Sequence, residues 1–317
     1  MLIDLHVHLI AMNEANGCYV SPKLSTGMMY FMLSRVLKLQ NVERERIDEA
    51  YRDKLIEWVT DSDLDAIGML AFDAVYDQNG EYDKARTHLY VSNDYCLDVC
   101  SQSDRLIPIC SVNPQRKDAI AELERVTRAG SAAIKLLPNT QGFDPSNDAY
   151  RPFWRRMGEL GIPLLSHTSF EHALPVIDQR FGKPELLRPA LEEGATVIAA
   201  HCAGGGVLHL LKDDIQTWLA MLAEYPKLYG DISAMASMAR FPYIHTVLKH
   251  ELARERILLG SDFPIPVSPL VFVPQLGFAR AMALRRIENP LQRNLETFRA
   301  LGVDQTMLDR SATILKL

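Results

Sequence analysis

Ile3-Asp4-Leu5-His6-Val7-His8 opens the chain with apolar and polar residues in alternation, the period-two pattern of a β-strand. On such a strand His6 and His8 share a face, about 6.6 Å apart along the axis. Two imidazoles at that separation can converge on one divalent ion. The same spacing also suits two histidines hydrogen-bonded in a core or placed at a sheet edge. The rest of the chain decides between these readings.

Seven further short apolar runs follow, at 66–72, 106–112, 132–137, 162–167, 196–201, 228–232 and 256–261. Between them lie helical stretches at 42–59, 89–101, 116–129, 150–160, 184–193, 215–224 and 239–252, three of which stop at Gly130, Gly161 and Gly194. Strict alternation of strands and helices, with strands apolar on both faces, implies parallel pairing. Eight such units predict a (β/α)8 TIM barrel, here over a single domain spanning 1–317. An open doubly wound sheet is the alternative, but no GxGxxG follows the first strand. Residues 9 to about 60 read as an insertion after strand 1. The last ~50 residues, from Pro264, read as extra C-terminal helices.

Composition narrows the function classes. The 317 residues are 48% hydrophobic and 23% charged, ordinary globular values, with a net charge of −6 and no basic stripe. Nucleic acid and anionic membrane are poor partners for such a chain. No apolar run approaches the ~18 residues of a membrane span, and the first strand leaves no room for a signal peptide. The five cysteines, Cys18, Cys96, Cys100, Cys110 and Cys202, are scattered without a CxxC pair. They read as reduced core thiols of a cytoplasmic protein. A small molecule is the expected partner, and a homo-oligomer stays open.

Polar residues fall at the ends of the apolar runs. His6 and His8 end strand 1, Lys135 lies near the end of strand 4, His167 ends strand 5, His201 ends strand 6 and Asp262 follows strand 8. In an α/β barrel all strand carboxyl ends meet at one face, where active sites lie. Residues separated by some 250 positions would meet there. Each alone has a structural explanation; six of metal-ligand type together point to a metal site.

The set HxH, Lys, His, His, Asp on strands 1, 4, 5, 6 and 8 resembles the amidohydrolase superfamily of metal-dependent TIM-barrel enzymes. The phrases IKLLPNTQGFDP around Lys135, HCAGG after His201 and GSDFP at Asp262 resemble its amidohydrolase-2 branch, as does the segment 288–317. The resemblance implies zinc or a similar divalent metal held by His6, His8, His167 and Asp262. It gives Asp262 a second role as acceptor of a proton from the metal-bound water that attacks. In binuclear members a carboxylated strand-4 lysine bridges two metals, which would make Lys135 and His201 ligands. With one metal, His201 is a general acid/base and Lys135 a contact for a substrate anion. One ion is favoured over two.

The branch includes hydrolases of small amides and lactones, non-oxidative decarboxylases and hydratases. Hydrolysis of a small amide, ester or lactone is the leading expectation. A lyase that decarboxylates an aromatic or unsaturated acid is the alternative, and a metal-binding protein without catalysis is the third. A lyase needs a fork for the departing carboxylate, and Arg240 is the candidate. His172 lines the mouth or lies in a solvated loop. Gly204, Gly205 and Gly206 form either an anion-binding nest or simply a tight turn. His88, His209, His245 and His250 read as surface or helix residues. Met28, Met29 and Met32 read as packing in an amphipathic helix, or else as a lid.

Overall fold

The structure, a computed structural model, describes residues 1–26, 34, 35, 37, 39–206 and 214–317. Met28, Met29, Met32 and His209 lie outside these. In chain order the strands are β1 (Ile3–His8), β2 (Tyr19–Val20), β3 (Ala66–Leu70), β4 (Leu89–Tyr90), β5 (Leu106–Cys110), β6 (Ala133–Leu136), β7 (Leu164–Ser166), β8 (Val197–Ala199), β9 (Leu228–Asp231) and β10 (Ile257–Leu258). Eight of them pair in parallel in the order β1-β3-β5-β6-β7-β8-β9-β10. Leu5 N donates to Leu259 O at 3.1 Å, Asp262 N to His6 O at 2.9 Å and His8 N to Phe263 O at 2.8 Å. Those bonds join the last strand to the first and make a TIM barrel.

Parallel strands need crossovers, and the principal helices supply them. They are α1 (Ile47–Thr60), α2 (Asn93–Ser101), α3 (Ala119–Arg128), α4 (Arg151–Leu160), α5 (Arg188–Glu192), α6 (Ile215–Glu224), α7 (Tyr243–Lys249), α8 (Phe278–Arg285), α9 (Pro290–Ala300) and α10 (Gln305–Leu315). Helix α1 is the crossover from β1 to β3, so the extra material after strand 1 ends before it. Not all of the C-terminal segment is additional either. Helix α10 packs on β1 and β10, and its Ala312 and Leu315 join Ile3, Ile107 and Leu258 in the apolar cluster inside the barrel. It closes the end opposite the histidines.

Three details differ from the sequence reading. Alternation along β1 is broken: its ladder with β3 slips between Asp4 and Val7, so Ile3 and Leu5 join the inner cluster while Val7 packs outside. A slip of this kind re-aims side chains near sites, and it turns both His6 and His8 inward above Leu5. The expected helix from 89 begins at Asn93, capped by the Ser92 hydroxyl, because Leu89–Tyr90 forms a two-stranded antiparallel ribbon with Tyr19–Val20. The stretch 239–252 divides at His250, whose extended backbone ends α7 and whose Nδ1 accepts from Ala253 N.

All five cysteines are buried and free. Among the described residues no helix is long and apolar enough to cross a membrane.

Candidate active site

Strand ends at the mouth carry left-handed backbone at non-glycine positions: Ser169 after β7, His201 after β8, Ala234 after β9 and Asp262 after β10, with φ of 68°, 60°, 57° and 64°. Each such residue costs roughly 1–3 kcal/mol and persists where the surroundings over-determine it, commonly at functional sites. The turn turns His201 and Asp262 toward β1. Close approach also requires Gly260, since a Cβ there would lie 3.0 Å from His6 Cβ and 3.2 Å from Ser233 Cβ.

His6 is fully buried. Its Nδ1 lies 2.7 Å from Asp231 Oδ2, and its Nε2 lies 3.3 Å from Asp262 Oδ1 and 3.1 Å from Lys135 Nζ. His8 Nε2 lies 3.1 Å from the same Asp262 oxygen. Ligand atoms of His6, His8 and Asp262 all fall within 4.8 Å of one another. Although burial pushes the Asp262 carboxyl up, His6, His8 and Lys135 hold it well below the usual carboxylate range. It stands ionised. Burial pushes the Lys135 ammonium down to about 8, against the pull of Asp231 and Asp262.

A second pair sits beside the first. His201 Nδ1 lies 3.1 Å from Ser233 O, an acceptor, which puts the proton on Nδ1 and leaves a lone pair on Nε2. That Nε2 lies 3.3 Å from His167 Nδ1, so His167 Nδ1 is the donor and His167 Nε2 also keeps its lone pair. His167 Nε2 is buried without any partner. Buried polar atoms are rarely left so, and an unpaired imidazole lone pair beside a His–His–Asp cluster fits a metal ligand. Burial, then Arg240, holds both imidazoles well below the ordinary histidine value. Neutral imidazoles are the form that ligates. His167 stands outside the tightest His6–His8–Asp262 group, on the His201 side.

Asp231, Ser233 and Glu171 were not singled out in the sequence. Asp231, fully buried at the end of β9, receives His6 Nδ1 and the His201 N–H (2.8 Å) and a short bond from the Ser233 hydroxyl. Asp231 lies inside the expected seventh strand, 228–232, before Ile232, so it lacks the run-end signal that marked His167 and His201. Glu171 Oε1 accepts from Leu174 N at 3.1 Å, and its Oε2 lies 3.7 Å from His167 Nδ1.

Arg240 is buried and donates to Gly204 O and to Phe170 O (3.1 Å), clamping the β8 turn to the loop after β7. The Gly204 N–H is engaged with His201 O at 2.8 Å, so the turn reading explains that glycine. His172 stacks on Phe170 with an interplanar angle of 9°. His8, Lys135, His167, His201, Arg240 and Asp262 border one cavity of about 230 Å³, which His172 also lines. His88 instead lies 2.9 Å from the Ser21 hydroxyl, away from that cavity.

No curated relative matches the chain. Solved structures do. An uncharacterised TIM-barrel protein from Bordetella bronchiseptica aligns with a TM-score of 0.66 at 16% identity, covering 99% of this chain and 98% of that one. A protein assigned as 2-pyrone-4,6-dicarboxylic acid hydrolase from Pseudomonas putida gives 0.56 at 16%, covering 99% and 97%. A 2,6-dihydroxybenzoate decarboxylase from Rhizobium gives 0.58 at 14%, covering 99% and 98%. At such identities the likeness shows the fold. A family model for amidohydrolases matches residues 3–278, and with so much of its length covered the chain belongs to the amidohydrolase family of enzymes.

Proposed function

We propose that this protein hydrolyses a small amide, ester or lactone with the help of one bound divalent ion, zinc or a similar metal. The observation that carries the reading is the convergence of His6, His8 and Asp262 beside the unpartnered Nε2 of His167. A divalent ion held by these four would acidify a water and polarise a carbonyl.

The remaining work falls to the chain's own residues. Asp262, ionised and at the cavity floor, accepts the proton of the attacking water. His201, neutral and held by Ser233 through Nδ1, takes that proton from Asp262 on its Nε2 lone pair and hands it to the leaving group. Lys135 and Arg240 hold an anionic part of the substrate. The mostly apolar walls of the cavity keep other water away from the reacting atoms. One ion is favoured because the candidate ligand atoms found among the described residues gather in a single group, that of His6, His8 and Asp262.

Decarboxylation is the second reading, favoured by the two buried cations Lys135 and Arg240 at one cavity, a pair able to grip a carboxylate. A screen of lactones, N-acyl compounds and aromatic acids with zinc-loaded protein tests both. Turnover of lactones or amides alone supports hydrolysis; loss of CO2 from an acid with no hydrolytic turnover replaces it with the lyase.

A further inference from the structure

We infer that the substrate carries a single carboxylate on a compact hydrocarbon body, no larger than about one substituted ring, and that the β2–β4 ribbon imposes this choice. The inference rests on the metal-site reading above and names what enters that site.

The cavity is divided by charge. Its charged lining is Lys135, Arg240, Asp262 and Glu171, gathered with His8, His167 and His201. Its outer walls are hydrocarbon: Leu9, Met12, Val20, Leu89, Leu174 and Ile265. Val20 and Leu89 are direct partners in the antiparallel ribbon, and opposed residues of such a pair project from the same face. That face is toward the cavity. The alternate pair, Tyr19 and Tyr90, takes the other face, where Lys84 lies 4.8 Å from the Tyr19 ring.

The wall is also held in place. Ser21 N donates to His88 O at 2.8 Å, and Phe72 and Val91 exchange two backbone bonds. Asp48, buried at the start of α1, accepts from Met12 N at 2.7 Å and Asn13 N at 3.1 Å. A ligand must therefore match the apolar surface as it stands.

A carboxylate bound at the floor meets two cations. A second carboxylate at the far end of the ligand would lie against Val20 and Leu89 and lose its water without a partner, which is costly. Of the other polar lining side chains on that side, Glu171 is itself a carboxylate and His172 stacks on Phe170, so neither offers a second carboxylate a cation. A volume of about 230 Å³ is below the ~300 Å³ at which sites for drug-sized ligands begin. Diacids of the kind named for the Pseudomonas putida relative fit this cavity poorly.

The test compares 4-methylbenzoate with terephthalate, which differ by a methyl against a second carboxylate at one position. Binding of each to zinc-loaded full-length protein is measured by calorimetry, with zinc content read on the same samples. The expected result is at least ~10-fold tighter binding of 4-methylbenzoate. Leu89→Lys, and independently Val20→Lys in case one fails to fold, should narrow or reverse the preference. Equal or tighter terephthalate binding, binding of neither acid, or an unchanged preference in both folded variants overturns the inference. A protein that loads zinc but gives any of those results leaves the metal reading intact. A protein that takes up no zinc overturns that reading, while the two acids still report on a cavity lined by Lys135 and Arg240.

Discussion

His6 Nδ1 and Asp231 Oδ2 lie 2.7 Å apart, joining the first barrel strand to the seventh inside the barrel. Since the Asp231 carboxyl is held well below its usual range by His6, His201 and Ser233 despite its burial, it is an acceptor. The proton of His6 then sits on Nδ1, and Nε2 offers its lone pair toward Asp262 and Lys135. Carboxylates that orient a ligating histidine in this way commonly matter ~10–100-fold in metal affinity. Asp231→Asn should lower zinc affinity by about that factor, measured by chelator competition, while circular dichroism shows an intact barrel. Unchanged affinity would show that Asp231 does not set the His6 tautomer.

Purified protein should carry about one equivalent of zinc or a similar ion by elemental analysis. His6→Ala or His167→Ala should remove most of that affinity and leave the fold in place. Parent-like affinity in the His167 variant would mean that its unpartnered Nε2 answers to something other than a metal.

Asp262→Asn should retain the fold and lose turnover by at least ~100-fold, the scale of a general acid–base group. The amide is a weaker ligand and no base near neutral pH. Near-normal turnover would make Asp262 structural and end the hydrolytic mechanism.

His201→Asn separates one ion from two. With one, turnover falls comparably and metal content stays constant. With two, metal content falls, and the single-ion reading is wrong.

Away from the site, Glu122 on α3 accepts from Arg125 at 2.7 and 2.9 Å and from Asn93 Nδ2 at 2.7 Å, with its side chain 11% exposed. Partial burial pushes its carboxyl up, but Arg125 and Asn93 outweigh this and hold it below the ordinary glutamate value of 4.5. A depressed folded pKa gives stability that is present above the unfolded value and lost as pH falls through the folded one. Glu122→Gln should therefore cost about 1 kcal/mol at neutral pH. Urea unfolding should show that loss shrinking in acid. A loss independent of pH would mean the charge itself contributes nothing.

The eight apolar runs and their spacing were enough to predict a barrel, because strands buried on both faces and separated by helices have few parallel arrangements. Most of the polar residues at the cavity were legible for the same reason: a histidine, lysine or aspartate just after an apolar run stands out against it. Tertiary structure decided what alternation cannot encode. The slip between Asp4 and Val7 arises from pairing with β3, so the inward turn of both histidines is not written in their period. Asp231 gains its role only by facing His6 from 225 positions away. The apolar wall of the cavity depends on β2 and β4, two residues each, which lie about 70 positions apart and carry almost no local signal. Local sequence sets which residues are apolar or able to ligate; long-range pairing sets which of them meet, and so which chemistry is possible.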